Sequence, residues 1–216
     1  MPYHGKSEWH EGVNFMPSDL LQITELVLAR HGLASRTFSL LAYSMGGRIA
    51  LTLLQQIPDR ITKLILLAPD GLKINFWYWL STQTIAGNKL FLATINYPGW
   101  FLRMVQSGQK LRLINPSVHK FVEYYLHDKS RRKQLYLRWT CLRKLKPNLP
   151  RIKELIRKNS IRVHLVYGKH DRIILPARGE KFRTGIGDFC TIEILDSGHH
   201  LLQEKNAATV LQYLKH

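Results

Sequence analysis

LLAYSMGGRIAL, Leu40–Leu51, passes from an apolar run through a lone serine to a glycine pair, then back into an apolar-periodic stretch. Two readings compete for Ser44. It caps the helix that follows, the usual work of a serine at a strand–helix junction. Alternatively it is a nucleophile, held on a sharp turn at the carboxyl end of a strand. The second reading needs small flanking residues, so that strand and helix can pack closely, and Ala42 and Gly46 are small. It also needs a base and an orienting acid elsewhere in the chain.

Working outward, Thr37–Ala42 is short, apolar and without alternation, which predicts a strand covered on both faces. Gly46–Gln56 predicts a helix ending before Pro58. Upstream, Ser18 precedes the periodic residues Leu20, Ile23 and Val27, and Gly32 closes them, so a serine-capped helix is expected there. Downstream, Ile61–Leu67, Ile161–Tyr167 and Phe189–Leu195 predict three more strands. Pro176–Arg183 and Glu204–Leu214 predict helices. Strands alternating with helices imply right-handed βαβ units and a three-layer, mostly parallel α/β sheet.

The apolar spacing between the second and third of these strands is helical. Aromatics recur there at Trp77, Trp79, Phe91, Trp100, Phe101, Tyr124, Tyr125, Tyr136 and Trp139. By default they are core, or the lining of an acyl pocket. The charge of this segment differs from its flanks: Gly71 to Ser160 holds 18 Lys/Arg and 3 Asp/Glu, the rest of the chain 14 and 12. That step marks an inserted helical subdomain at 70–160, between core segments 1–69 and 161–216. Its basic face is solvated, or touches anionic lipid headgroups through the aromatics of INFWYWL and NYPGWFL and the cations of KSRRKQLYLRW. Nucleic acid is the least favoured partner, since no nucleic-acid-binding motif accompanies the charge.

The base and the acid have candidates. His199, after Gly198 in DSGHHLLQE, can take the proton of Ser44. Asp171, in YGKHDRIILP, can fix the tautomer of His199 and stabilise its imidazolium. All three follow predicted strands, and open α/β sheets bind ligands at the carboxyl ends of their strands. Asp70 is the alternative acid and His200 the alternative base. Asp196 reads as a loop residue and Glu204 as the start of the last helix; His4, before Gly5, reads as structural.

These segments carry a resemblance. AYSMGG, YGKHDRIILP and DSGHHLLQE resemble the nucleophile elbow, acid loop and histidine loop of α/β-hydrolase-fold serine hydrolases, in the order Ser, Asp, His. The similarity runs over nearly all the chain outside the insertion, where that family carries a variable helical cap. It implies Ser44 as nucleophile, Asp171 as acid, His199 as base and the Met45 backbone N–H as an oxyanion donor. It also implies a lipase-like or esterase activity on a carboxylic ester or related acyl compound, with no metal and no organic cofactor. The aromatic insertion favours an apolar acyl group. The alternative is a catalytically impaired fragment, or a non-catalytic binding protein on the same scaffold.

Two departures accompany it. Ala42 stands where the family commonly has glycine. PYHGKS, Pro2–Ser7, resembles the loop after the family's fourth strand, where His4 would sit near the site entrance. This implies that the first four strands, with the loop giving the second oxyanion N–H, have no counterpart here, and that Met1 is internal to a longer parent. The strand ending at Ser44 is then an open sheet edge. In composition, 216 residues at 45% apolar suit one domain with an insertion. Cys141 and Cys190 form no disulfide framework or metal spacing, which fits a reducing, cytoplasmic setting. The opening MPYHGKSEWHEG has no apolar signal core. Phe76–Leu102, interrupted by Gln83, Asn88, Lys89, Asn96 and Pro98, is a poor membrane span, so any membrane contact is expected to be peripheral.

Overall fold

The computed structural model describes all residues except Ile74, Asn75, Leu113, Asn115 and His216, and no side chain at 116–118, 120, 121 or 215. Ile74 and Asn75 open the INFWYWL stretch, so that part of it lies outside the described residues. In chain order the elements are α1 (Pro17–Arg30), β1 (Phe38–Tyr43), α2 (Met45–Gln56), β2 (Ile61–Leu67), α3 (Phe76–Gln83), α4 (Ile85–Asn96), α5 (Gly99–Lys110), α6 (Pro116–Leu126), α7 (Lys129–Cys141), α8 (Leu149–Lys158), β3 (Arg162–Gly168), α9 (Ala177–Arg183), β4 (Cys190–Leu195) and α10 (Glu204–Lys215). They form two units.

One unit comprises Met16–Lys73 and Leu145–His216 and contains the whole sheet. The four strands pair in the order β1-β2-β3-β4, all parallel. The interior strands are apolar on both faces, as a parallel sheet covered by helices requires: Leu64, Ile65, Leu66, Leu67, Val163 and Val166 are fully buried. α2 contributes Leu51 and Leu54 to this core, and α8 contributes Ile152 and Ile156. β1 departs from the expected two-sided cover. Among the described residues it pairs only with β2, Ser39 is exposed, and Leu41 is 43% exposed. Among the described residues β1 is thus an edge strand of this sheet.

α1 starts two residues earlier than Ser18 capping would require, with Met16 at the cap position. Pro17 occupies the first helical turn, where its fixed φ and missing N–H suit it. The Asp19 carboxylate accepts the Met16 N–H at 2.7 Å. At the other end Gly32 (φ +68°) donates to the Ala29 carbonyl at 3.0 Å and Leu33 to that of Leu28 at 2.8 Å. This is a Schellman stop, which needs the left-handed conformation that glycine adopts freely.

The other unit comprises Met1–Phe15 and Ile74–Lys144. Its core is Ile95, Val105, Val122 and Leu126, packed by Phe91, Phe101, Leu102 and Tyr136. Phe91 meets Tyr136 and Trp139 with ring centroids 5.3 and 5.6 Å apart, and Tyr78 meets Trp139 at 5.1 Å. The N-terminal segment is tied in by polar contacts: Phe15 N–H to the Cys141 carbonyl at 2.9 Å, Arg138 Nε to the Tyr3 carbonyl at 2.6 Å, and Arg143 Nε to Asn14 Oδ1 at 2.8 Å.

The grouping differs from the boundaries expected at 69/70 and 160/161. Residues 1–15 join the helical unit, because their partners are on α7 and just beyond it. The segment 145–160 joins the sheet unit, because α8 turns Ile152, Leu155 and Ile156 inward and its cations outward.

Candidate active site

β1 delivers Ser44 to the carboxyl end of the sheet. The Ser44 N–H donates to the Leu67 carbonyl at 2.9 Å, so the strand pairing runs up to the turn itself. There the chain reverses into α2 with Ser44 at φ 51°, ψ −117°, a left-handed conformation that costs a non-glycine residue about 1–3 kcal/mol. Ser44 precedes the helix, yet its side chain makes no capping hydrogen bond. Its hydroxyl instead lies 3.1 Å from His199 Nε2. The capping role and the presented hydroxyl are therefore distinguished by geometry, in favour of the second.

The turn is closed from beneath. The Asp70 N–H donates to the Ser44 carbonyl at 2.8 Å, and the Asp70 carboxylate meets Arg48, one turn along α2, at 2.7 Å. Arg48 is buried. Gly47 is required here: a Cβ would come within 2.5 Å of the Pro69 Cβ and 2.9 Å of the Asp70 carbonyl oxygen. Gly46 is less constrained, since a Cβ there would stand 3.5 Å from that of Ala42. Asp70, the alternative acid, is thus committed to Arg48 and to the Gly71 N–H, at 2.7 Å.

Asp171 follows β3 and is 2% exposed. One carboxylate oxygen accepts the N–H groups of Ile173 and Ile174 at 2.7 and 3.0 Å; the other accepts His199 Nδ1 at 2.7 Å. Burial alone would raise its pKa. The bonds from His199, Ile174 and Ile173 and the charge of His199 outweigh it, holding the carboxyl below its ordinary value. With Nδ1 bound to the carboxylate, Nε2 faces Ser44 as a proton acceptor.

The loop carrying His199 is pinned to the loop carrying Asp171. Lys169 N–H donates to the Leu195 carbonyl at 2.8 Å and His170 N–H to the Ser197 carbonyl at 2.9 Å. Asn206 Nδ2 donates to the Leu201 carbonyl at 2.9 Å. Gly168 permits this approach, because a Cβ there would fall 2.2 Å from the Gly198 carbonyl oxygen. Tyr43 adds a support that the sequence reading missed. Its hydroxyl donates to the His199 carbonyl at 3.1 Å, and its ring lies 5.5 Å from the imidazole. Arg48 was missed as well. Its one signal in the sequence was a charge on an otherwise apolar helix face.

The remaining candidates stand apart. His200 is exposed, 6.3 Å from the Tyr43 ring. Asp196 pairs with His170 at 2.8 Å in the loop after β4, and Glu204 opens α10. His4, in the helical unit, bonds through Nδ1 to the Pro2 carbonyl at 2.8 Å. Met45 is the first residue of α2, where helix geometry leaves its N–H without an intrahelical acceptor.

A hydroxyl, an imidazole and a carboxylate thus stand in series at the carboxyl rim of a parallel sheet, an arrangement able to pass a proton from Ser44 Oγ to His199. Sheet and site together define an α/β-hydrolase-fold protein. The chain belongs to the family described as Serine aminopeptidase, S33 (Hydrolase_4), whose model matches residues 4–206.

Solved structures share the fold. A thermophilic esterase from Thermogutta terrifontis is 17% identical with a TM-score of 0.64, the match covering 98% of this chain and 75% of the esterase. A probable hydrolytic enzyme from Pseudomonas aeruginosa is 18% identical with a TM-score of 0.64, over 98% of this chain and 73% of that one. A monoacylglycerol lipase from Paleococcus ferrophilus is 14% identical with a TM-score of 0.54, over 100% of this chain and 81% of the lipase. No curated protein matches the chain by sequence.

Proposed function

We propose that the chain is a serine hydrolase that cleaves a carboxylic ester or related acyl substrate through an acyl-enzyme. The observation that carries this reading is the Ser44 hydroxyl, unused as a cap and 3.1 Å from an imidazole that is itself held 2.7 Å from a buried carboxylate. His199 accepts the Ser44 proton as Oγ attacks the substrate carbonyl. Asp171 stabilises the imidazolium without taking the proton. The Met45 N–H receives charge on the developing oxyanion, an interaction strongest in the transition state. His199 then protonates the leaving group, and afterwards takes a proton from the water that releases the acid. These are the steps of hydrolysis, with no oxidant or reductant required.

The substrate class extends to amides, in keeping with the family's description, and the acyl group is taken to be apolar. The test combines covalent labelling with turnover. A fluorophosphonate probe should label the folded protein at Ser44 only, and Ser44→Ala should abolish both labelling and hydrolysis of p-nitrophenyl esters. A series of ester chain lengths and an aminoacyl p-nitroanilide then separates esterase from aminopeptidase activity. Ester turnover that survives Ser44→Ala ends the nucleophile assignment. Folded protein that resists the probe supports a non-catalytic scaffold.

A further inference from the structure

Three helices of the second unit carry large apolar residues that are exposed among the described residues. α5 shows it best. Phe101, Leu102 and Val105 face the core, as one apolar stripe should. A second stripe, Trp100, Met104 and Leu111, follows at intervals of four and seven residues, and these are 42%, 52% and 69% exposed. The exposed cations Arg103 and Lys110 are interleaved with them. On α4, Ile85 (81% exposed) and Leu92 (39%) lie on one face with exposed Lys89 between them. At the start of α3, Phe76, Trp77 and Trp79 are 61%, 70% and 43% exposed, with Phe76 clustered against both indoles at 5.4 and 6.1 Å. Exposed aromatics and aliphatics in such number mark an interaction surface rather than ordinary scatter.

The charge pattern indicates what covers it. No Asp or Glu occurs anywhere from Gly71 to Val122. A second copy would set cations against cations, with no carboxylate to offset them. Nucleic acid would match the charge and could stack on the indoles, but would leave Ile85, Leu92, Met104 and Leu111 without apolar cover. A phospholipid surface satisfies both demands. Anionic headgroups meet the cations, aromatic rings sit at headgroup level, and aliphatic side chains reach the acyl boundary. Among the described residues no helix is long and apolar enough to cross a membrane, so the contact is with one leaflet.

We infer that the outer faces of α3, α4 and α5 dock on an anionic phospholipid surface. The contact is made by the helical unit alone and is independent of the chemistry at Ser44. Not every cation of the segment contributes. Arg132 donates to the carbonyls of Ile95, Leu126 and His127 at 2.7, 3.3 and 3.3 Å, and Arg138 and Arg143 hold residues 1–15. These are structural, whereas the exposed Lys89, Arg103 and Lys110 are the lipid-facing set, Arg103 with its Nε on the Gly99 carbonyl of its own helix at 3.2 Å.

The test is flotation of the full chain with vesicles of phosphatidylglycerol and phosphatidylcholine in equal parts, against phosphatidylcholine alone. Binding should be at least tenfold stronger to the anionic vesicles and should fall steeply between 0.1 and 0.5 M NaCl, as screening predicts. Each lipid-facing cation contributes about fivefold, so Arg103→Gln with Lys110→Gln should weaken binding about 25-fold. Trp100→Ser with Met104→Ser should weaken it comparably, while circular dichroism reports an intact fold. Ser44→Ala should bind as the parent does, which separates this result from the fate of the hydrolase reading. Equal binding to neutral vesicles, no binding, or variants that bind like the parent would overturn the inference. Tighter binding to a single-stranded oligonucleotide than to anionic vesicles would also overturn it.

Discussion

At Ser44 the backbone holds a conformation that an L-residue rarely adopts, at φ 51°. The cost can be isolated by comparing two variants that both lack the hydroxyl. Ser44→Gly relieves the strain and Ser44→Ala keeps it, so the glycine variant should unfold at higher temperature, by about 1 kcal/mol in scanning calorimetry. Tyr43 is one residue away and touches His199. Tyr43→Phe removes one hydrogen bond to the His199 carbonyl, worth about 0.5–1.5 kcal/mol. Steady-state kinetics on a p-nitrophenyl ester should show kcat reduced by roughly two- to tenfold with KM unchanged.

Asp171→Asn should lower turnover by a factor on the order of 10⁴, because an amide fixes the wrong imidazole tautomer. It should also alter acid stability. Unfolded, Asp171 takes up a proton near its ordinary value of 3.8; folded, it stays charged to lower pH. The unfolded state therefore binds more protons in that range. The contribution of Asp171 is complete above the unfolded value and disappears as pH falls through the folded one. Acid titration of stability should be shallower below that value in Asp171→Asn than in the parent. Cys190 responds oppositely. Burial pushes its thiol up to about 12, so iodoacetamide at pH 8 should leave it unmodified until the chain unfolds.

Among the elements, β2 was legible to the residue, because a parallel strand buried on both faces reads, as Leu64–Leu67 does, as an apolar run bounded by turn signals. The same rule misjudged β1. Its apolar residues suggested cover on both faces, but periodicity cannot report whether a neighbour strand exists. Local chemistry was also legible at α2, where Ala42, Ser44 and the glycine pair marked the turn. Within that pair, the sequence could not say that Gly47, not Gly46, is the tight position, because its constraint comes from Pro69 and Asp70 in another loop. The Arg48–Asp70 pair that closes this loop is a long-range contact of the same kind. Arg48 is buried but the Asp70 side chain is 27% exposed, so removing the carboxylate costs about 1–3 kcal/mol. Asp70→Ala should lower the melting temperature by roughly 2–12 °C in a thermal melt for a chain of this size. Hydrogen exchange should rank the strands, with β2 amides slowest and the outward-facing amides of β1 fastest.

Across the whole molecule, the class of fold was readable, while the grouping into units differs from the boundaries the charge step suggested. The charge step at Gly71 and Ser160 reports which surface faces solvent, not which segments touch. α8 is basic and amphipathic, so its cations suggested the helical unit while Ile152, Leu155 and Ile156 belong to the sheet unit. Residues 1–15 carry no periodic signal at all, and their membership rests on contacts to α7 and the residues after it.

That last feature bears on how the chain is made. Tyr3 and Asn14 find their partners 135 and 129 positions later, at Arg138 and Arg143. At ribosomal rates of about 5–20 residues per second, Tyr3 and Asn14 precede these two partners by roughly 6–27 s of synthesis. The sheet unit is also incomplete until α8, β3 and β4 arrive. Nascent chains stalled before Arg138 should thus be open to protease throughout the first fifteen residues, and to chaperones that hold unfinished polypeptides.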